Sequence, residues 1–509
     1  MSERRERLGL GAVLAATFMT QVDGFVVNVA SPSIQDDLDA GFDQIQFVGA
    51  AYVIAFGALM VTGARLGDRV GHRTVFLWGV TGFTVTSLLC GVAPNADLLI
   101  ASRFLQGASA AFMAPQVLAI IRATVRDPDR LAKAISVYGV VIGLGVISGI
   151  AGGGLIVEAD IAGLGWRPAL LINVPIGIAI LAAGAILPRT VPKAPHRLDL
   201  AGAALTIVAA PALLVPLVFG PEGSGWWWLG LPIAVVLCAV LVRQQRRLHR
   251  AGGDPLFPPR VVTAPGMRLS LLTVLTLFAT NSGLFLVFTY YLQTGLRFSP
   301  LTAALMFVPL GIGFSLGSAA NRRVARLVSA PTPVWGCGLL ALVLAASAAV
   351  VQAPEAAQAP MLVAVVALAG FGQGLVVSPL VAGILGRVGP ADAGAASGTA
   401  TTVTQFGLAL GVAVAGVCYR TVLGATPGDP GVPFADHATA FAATALLLAA
   451  SATCAGLVGV RLHRLRAPEA VAAPAPAAPT PVPEAASAPA EPEGAAPSPV
   501  ATSTVRRIG

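Results

Sequence analysis

Apolar runs of about 20 residues recur along nearly the whole of this 509-residue chain. Each run is long enough to cross a hydrocarbon core of ~30 Å as an α-helix. Only 11% of the residues are charged, whereas soluble domains carry about 25%. The pattern predicts an all-α integral membrane protein with fourteen transmembrane helices. The predicted spans are residues 9–31, 46–66, 74–93, 97–123, 133–157, 167–187, 200–220, 226–242, 267–292, 301–321, 333–351, 359–384, 396–420 and 437–460.

Basic residues are distributed unevenly between the two sides of the predicted membrane. The net charge is +8, and arginine carries most of it because the chain has only two lysines. About 25 of the 32 Lys and Arg residues fall at the N-terminus, after even-numbered spans or after the last span, and about three fall on the opposite connections. This positive-inside distribution predicts a multi-pass protein of the cell membrane with both termini in the cytoplasm. The basicity therefore reflects topology in a lipid bilayer, and no nucleic-acid partner is expected.

The cysteines and glycines do not form the motifs of metal or nucleotide sites. The five cysteines are scattered through apolar runs without a CxxC pair, so neither a zinc site nor a disulfide framework is expected. The glycine-rich run of span 5 lies at membrane depth and lacks the Lys-Ser or Lys-Thr of a phosphate loop. We expect no metal and no cofactor. Energy would come from a proton or other ion gradient, or from the substrate's own gradient.

A charged segment between spans 2 and 3, GARLGDRVGHR, has a degenerate copy in the second half of the chain. The residues Gly317, Asn321, Arg322 and Arg326 match Ala64, Asp68, Arg69 and Arg73 at identical spacing. The repeat unit is then six helices, and spans 7 and 8 have no counterpart. The predicted divisions are a six-helix bundle in 1–190, two inserted helices with a cytoplasmic linker in 191–266, a six-helix bundle in 267–466, and a disordered Ala/Pro-rich tail in 467–509.

Charges inside the predicted spans are few, and the two clear cases away from the span ends are Asp23 in span 1 and Arg103 in span 4. A charge at bilayer depth costs about 2.5–3.5 kcal/mol. By helix rise, Asp23 lies roughly 12 Å and Arg103 roughly 9 Å from the outer ends of their spans, so they are expected to be partners or near neighbours. An aspartate beside an arginine in an apolar cavity can change protonation as the cavity opens to either side. We predict that Asp23 carries protons and that Arg103 tunes it; the alternative is a static ion pair joining two helices.

The turn after span 2 suggests a conformational latch made by Asp68, Arg69, Gly71 and Arg73. The glycines allow a tight turn. An aspartate there can cap a helix N-terminus, and the helix that starts near 395–397 is the candidate partner. Such a contact would hold the cytoplasmic side closed. The alternative is a charged loop that only sets topology.

Uncharged polar residues and glycines within the spans are the remaining candidates for functional residues. The glycines of span 5 predict close packing against a neighbouring helix, or a local bend. Amides within spans are candidates for a substrate cavity, although some would simply join helices. The residues assigned to that cavity are Asn28, Gln106, Gln116, Asn281 and Gln293.

Six segments resemble the major facilitator superfamily, specifically its 14-helix drug:proton antiporter branch of EmrB/QacA-like multidrug exporters. Four resemble named motifs, and WRPALLINVPIG and YYLQTGLRFSPLTAA look like other passages of the branch. The resemblance covers about residues 9–460. ARLGDRVGHR is similar to the loop 2–3 motif, and QVDGFVVNVASPSI is similar to a helix 1 motif whose acidic position is Asp23. LLIASRFLQGASAA resembles the helix 4 motif through Arg103, Gln106 and Gly107, and the family assigns this arginine to proton coupling.

GVISGIAGGGL resembles the antiporter motif of helix 5, which is tied to the direction of exchange. The matching residues are Gly145, Gly149, Gly153 and Gly154. The usual proline of the motif is Ile150 in this chain. The resemblance implies a fold of two six-helix bundles with two inserted helices.

Together these observations predict a secondary transporter that exports lipophilic drugs or antibiotic-like metabolites in exchange for protons, by alternating access and as a monomer. One alternative is a proton-coupled importer of the same fold, which would favour more charged or polar groups in its site. A non-transporting membrane sensor is another. An integral membrane enzyme would need a polar catalytic cluster, and the sequence has neither HExxH nor GxSxG.

Overall fold

The computed structural model describes residues 3–125, 127–187, 199–219, 228–328, 331–389, 392–429 and 431–464. Within these ranges the chain forms helices joined by turns, and no β-strand occurs among them. The segment predicted to be a disordered tail, 467–509, lies outside the described residues.

The first part of the chain folds into eight α-helices. They are α1 (Glu3–Asp37), α2 (Phe42–Val70), α3 (His72–Gly91), α4 (Ala96–Thr124), α5 (Pro128–Ile147), α6 (Gly153–Glu158), α7 (Arg167–Leu171) and α8 (Asn173–Ala183). A π-helical turn, Ser148–Gly152, joins α5 to α6 without a break. The glycine-rich run, for which close packing or a bend was predicted, contains a π-helical turn, a feature that is frequent at functional sites.

Ten further α-helices follow. They are α9 (Leu200–Phe219), α10 (Gly230–Arg250), α11 (Pro259–Val262), α12 (Met267–Tyr290), α13 (Pro300–Leu305), α14 (Val308–Leu327), α15 (Thr332–Val350), α16 (Glu355–Leu385), α17 (Ala393–Leu423) and α18 (Phe434–Arg464). A second π-helical turn, Tyr291–Gly295, extends α12.

Side-chain caps mark several helix starts. Asn95 accepts a hydrogen bond from the backbone N–H of Leu98 at the start of α4, and Asp127 accepts one from Arg130 at the start of α5. Each cap satisfies one backbone donor that the first helical turn leaves unpaired. The cap at Asp127 is followed by Pro128, whose ring suits the first helical position.

Twelve helical segments of the described chain are long and apolar enough to cross a membrane, so the predicted count of fourteen is not confirmed. The predicted span 167–187 forms a shorter apolar segment, Arg167–Ala183, which comprises α7 and α8. The predicted span 226–242 becomes α10, which continues into polar sequence from Arg243 onward. The first segment is too short to cross the membrane as one helix. The apolar part of α10 is too short as well, because the helix becomes basic from Arg243 onward.

Glycines allow the closest helix crossings in both halves of the chain. α2 packs against α4, and α14 packs against α16. A side chain at Gly63 would collide with the carbonyl oxygen of Ala111, and one at Gly317 would collide with that of Phe371. The sequence repeat is thus matched by a repeated helix pair in which backbones meet directly.

The turns between helices lie at two opposite ends of the bundle. The N-terminal face is the end at which α1 begins and α18 ends, with the α2–α3 turn at Gly71. The far face is the opposite end, with the α1–α2 turn at 38–41.

The helix α9 packs against both α2 and α17, which also contact each other. The hydroxyl of Thr402 donates to the carbonyl oxygen of Gly57 at 2.9 Å. The residues buried together on the three helices are Ala50, Ile54, Ala210, Leu214, Ala409 and Ala413. One of the two inserted helices therefore covers the seam where the first and second halves of the chain meet.

Candidate functional site

The structure brings Asp23 of α1 and Arg103 of α4 together in a buried ion pair. Arg103 Nη1 lies 2.6 Å from Asp23 Oδ2. The exposed fraction is 0% for Asp23 and 1% for Arg103. A buried pair of charges is stable only when further hydrogen bonds satisfy both groups.

Two amides complete the surroundings of the Asp23 carboxylate. Gln106 Nε2 and Asn173 Nδ2 each donate to Asp23 Oδ1 at 2.9 Å. Gln106 also donates to the hydroxyl of Ser87 at 2.6 Å. The carboxylate on α1 is thus bonded directly to side chains of α4 and α8, and Ser87 of α3 is linked to it through Gln106.

Arg103 has partners on α2 as well. Its Nε donates to the carbonyl oxygen of Val48 at 3.4 Å, and its guanidinium lies 4.4 Å from the centre of the Tyr52 ring. Its Nη1 also donates to Gln106 Oε1 at 2.7 Å. The arrangement holds the arginine by charge, hydrogen bonds and a cation–π contact.

Sequence reasoning missed Asn173, Ser87 and Tyr52. An asparagine within an apolar run is a detectable signal, and Asn173 stands in the segment WRPALLINVPIG. Serine and tyrosine are common in membrane helices and gave no comparable signal.

A cavity of about 470 Å³ lies between the two halves of the chain and next to the ion pair. Arg103 and Tyr52 form part of its wall, whereas Asp23 lies behind them. Aromatic residues contribute much of the lining, namely Phe25, Phe56, Tyr138, Phe278 and Phe285. Among the described lining residues Arg103 is the single charged one. Such a lining suits an apolar, aromatic molecule that needs few fixed polar contacts.

The predicted cavity amides divide into two groups. Asn28 and Asn281 line the cavity. Gln106 instead faces Asp23. Gln116 donates to the carbonyl oxygen of Gly63 at 2.8 Å, and Gln293 donates to that of Val29 at 3.0 Å. None of these three glutamines lines the cavity in this conformation, because each bonds to a buried group on a neighbouring helix.

The turn between α2 and α3 consists of Gly71 alone, with φ +105°. Arg73 Nε donates to the carbonyl oxygen of Gly184 at 3.0 Å, and Arg69 is exposed. Asp68 Oδ1 lies 3.6 Å from His72 Nε2. At the start of α17, Asp392 pairs with Arg260 at 2.7 Å. The predicted contact of Asp68 with the start of that helix thus does not form in this conformation, and the latch stays a prediction.

The linker that follows α10 is tied to both halves at the N-terminal face. Arg65 of α2 donates to the carbonyl oxygens of Asp254 and Pro255 at 2.6 and 2.7 Å. Arg387, beyond the end of α16, donates to that of Pro265 at 2.9 Å. Arginine side chains therefore hold this linker by its backbone.

Three of the four predicted motif glycines in α5, its π-turn and α6 pack against α1. A side chain at Gly145 would meet Gln21, one at Gly149 would meet Val22, and one at Gly153 would meet Val26. Gly154 instead approaches α13 in the second half, where an added Cβ would lie 2.7 Å from the Ala304 Cβ and 2.8 Å from the Pro300 oxygen.

Hydrogen bonds between the halves close the far face. Gln35 Nε2 donates to the carbonyl oxygen of Pro427 at 2.6 Å, and the Tyr290 hydroxyl donates to Gln35 Oε1 at 2.6 Å. The backbone N–H of Leu301 donates to Glu158 at 3.0 Å. The cavity lining includes Leu118 and Tyr138 from the half of the bundle nearer the N-terminal face. The conformation is therefore closed at the far face.

Comparisons with known proteins agree with this architecture. The family model described as Major Facilitator Superfamily matches residues 13–412. A protein named "Probable actinorhodin transporter" in Streptomyces coelicolor is 36% identical over 82% of this chain and 73% of its own. The puromycin resistance protein pur8 of Streptomyces alboniger is 36% identical over 86% of this chain and 85% of its own.

Solved structures resemble the fold at low sequence identity. A bacterial homologue of the human lysosomal transporter Spinster, in an inward-facing and unoccupied conformation, has a TM-score of 0.66. It is 17% identical, and the match covers 91% of this chain and 98% of that one. At this identity the likeness establishes the fold alone.

Proposed function

The chain belongs to the major facilitator superfamily, and we propose that it exports a lipophilic, antibiotic-like compound in exchange for protons carried by Asp23. The relatives named for actinorhodin and puromycin support export of such a compound. The observation that carries the proposal is the buried Asp23–Arg103 pair, in which Arg103 forms part of the cavity wall and Asp23 lies behind it.

The geometry supports an exchange through Arg103. A bound compound in the cavity touches Arg103 and Tyr52 rather than Asp23. Ionised Asp23 holds Arg103 by charge, and a proton on Asp23 removes that charge. Proton binding and substrate binding thereby act on the same arginine, so that each can oppose the other.

The direction follows from the faces of the bundle. The uneven distribution of basic residues supports a cytoplasmic N-terminal face. The conformation closed at the far face is then the one that accepts a compound from the cytoplasm after Asp23 has released its proton. When the far face opens, the compound leaves and Asp23 is protonated again.

The membrane gradient supplies the energy of this cycle. Each proton carries about 1.4 kcal/mol per pH unit. Each charge moved across the membrane adds about 2.3 kcal/mol per 100 mV.

Inside-out vesicles that contain the protein and have an acidic interior test the proposal. Addition of puromycin or actinorhodin is expected to dissipate the pH gradient while the compound accumulates inside. Asp23→Asn should abolish both signals, because an amide cannot carry the proton. Asp97→Asn is the matched control, since Asp97 is an exposed carboxylate on α4 at the far face. Undiminished exchange in Asp23→Asn would disprove the role of Asp23.

A further inference from the structure

Asn173, at the start of α8, presents a buried amide oxygen without a partner. Its side chain is 0% exposed. Its Nδ2 donates to Asp23 Oδ1, whereas its Oδ1 has no hydrogen-bond partner among the described residues. Buried polar atoms are normally paired, so an unpaired one calls for a physical explanation.

The surroundings of Asp23 suit only the ionised carboxylate. Arg103, Gln106 and Asn173 all present N–H groups to its oxygens. A protonated Asp23 carries an O–H, and a buried O–H needs an acceptor. A group that binds and releases protons therefore needs a partner that can change from donor to acceptor.

Gln106 is unable to make this change. Its Oε1 accepts from Arg103 Nη1, and its Nε2 donates to Ser87 as well as to Asp23. Turning this amide would place its N–H groups against the guanidinium, where two donors would face each other. Arg103 therefore fixes the orientation of Gln106.

Asn173 is free to turn, because its oxygen gives up no bond. The two ends of an amide have nearly the same shape, so a half-turn about its last side-chain bond exchanges donor and acceptor in place. After the turn, Oδ1 faces Asp23 and accepts from its O–H, while Nδ2 takes the position that Oδ1 held. The number of unpaired amide atoms is the same in both states.

We propose that Asn173 is a positioning residue that turns with the protonation state of Asp23, donating to the carboxylate and accepting from the carboxylic acid. This inference rests on the proposed role of Asp23 as proton carrier. By giving both states a hydrogen bond, Asn173 keeps proton uptake and release reversible.

Infrared difference spectra of the purified full-length protein between high and low pH test the proposal. The carbonyl band of protonated Asp23 is identified by its loss in Asp23→Asn. In Asn173→Leu the band should move to higher frequency, because the O–H loses its acceptor. In Asn173→Ser it should stay near the wild-type position, because a hydroxyl both donates and accepts. Asn28→Leu, the same change at a cavity residue of α1, should leave the band unmoved.

A transport measurement gives the second readout. Proton-driven export should fall about tenfold or more in Asn173→Leu, because the protonated state loses a buried hydrogen bond. Exchange of labelled for unlabelled substrate without a pH gradient should persist, and Asn173→Ser should restore most of the proton-driven rate. Equal losses in both transport modes would indicate a merely structural role and overturn the inference.

The remaining outcomes separate the inference from the function on which it rests. An Asp23 band at the same frequency in wild type and Asn173→Leu overturns the inference and leaves the proton carrier standing. Absence of an Asp23 band at every pH at which the wild type exchanges substrate overturns both. If Asn173→Leu does not fold, isotope-labelled asparagine carbonyl groups in otherwise wild-type protein follow the turn directly. Their Asn173 band, identified by its loss in Asn173→Ser, must then shift with Asp23 protonation.

Discussion

At the scale of single residues, one carboxylate organises the N-terminal half of the transporter. Asp23 receives charge-assisted hydrogen bonds from three side chains on two other helices, α4 and α8. Such bonds are about twice as strong as neutral ones. Removing one partner therefore affects groups on several helices at once.

The Asp23–Arg103 pair should show strong coupling in stability. Arg103→Ala is expected to lower the free energy of unfolding by about 3–5 kcal/mol, because it leaves the buried carboxylate of Asp23 without its cationic partner. Adding Asp23→Asn to Arg103→Ala should recover part of this loss, since the unpaired buried charge of Asp23 is then removed. Denaturant unfolding of the purified variants in micelles at neutral pH measures the difference. An equal or larger loss in the double variant would contradict the account.

Sequence reasoning located the charged pair but only part of its surroundings. Asp23 and Arg103 stand out because charges are rare in apolar runs, and helix rise places them at similar depth. The side chain that an amide faces depends on helix rotation and packing, which spacing in a single helix does not determine. For this reason the sequence alone could not show that Gln116 and Gln293 bond to neighbouring helices in this conformation.

At the scale of helices, Gly154 lies in the contact between α6 and α13. A Cβ at Gly154 would meet the backbone of Pro300, whereas one at Gly152 would meet nothing within 4 Å. Gly154→Ala should therefore push the halves apart at the far face, and Gly152→Ala should not. A cysteine replacing Val29 in a cysteine-free background, labelled from the far side with an impermeant maleimide, reports the opening. Equal labelling rates in the two variants would rule out this role of Gly154.

Asp199, next to the start of α9, ties the inserted helices to the linker. Its carboxylate accepts from the backbone of Gly202 and Leu256 and from the side chains of Gln244 and Gln245. Burial alone would raise the pKa of Asp199, but these hydrogen bonds outweigh burial and hold the pKa below its usual range. The ionised Asp199 therefore stabilises the fold at any pH above about 3.9, the pKa of an aspartate in the unfolded chain. This stabilisation is lost as the pH falls through the lower pKa of the folded state.

The linker should accordingly keep its structure from neutral pH down to about pH 5, because Asp199 stays ionised well above its folded pKa. Asp199→Asn at neutral pH should loosen it, because an N–H group then faces donors. Hydrogen exchange of the amides in 251–258, corrected for intrinsic rates, measures the effect, with Asp97→Asn as the control. Unchanged protection in Asp199→Asn would show that the linker is held by other contacts.

This linker shows what the sequence did not reveal at the scale of elements. Its basic, Gly- and Pro-rich composition predicted a connection between halves. Its backbone carbonyl oxygens accept from Arg65 and Arg387, and its Leu256 N–H donates to Asp199. Backbone donors and acceptors leave no mark in composition, so the sequence predicted a contact for Asp68 and none for Arg65, three residues earlier.

At the scale of the whole molecule, periodic apolar runs were sufficient to predict the membrane fold. They did not determine the count of spans, because two segments differ from the others in length or in polarity. The position of α9 at the seam between α2 and α17 was also not predictable, since an inserted helix has no counterpart in the repeat. We propose that one chain suffices for transport, because the cavity and the ion pair are built within it.

The most direct test of the central claim is proton release on substrate binding. Purified protein in weak buffer with a pH indicator is mixed with a compound that the vesicle assay has shown to be exported. The account predicts that wild type releases protons on binding, that Asp23→Asn binds without release, and that Asp97→Asn behaves as wild type. Proton release of equal size from Asp23→Asn would show that another group exchanges with the substrate and would contradict the account.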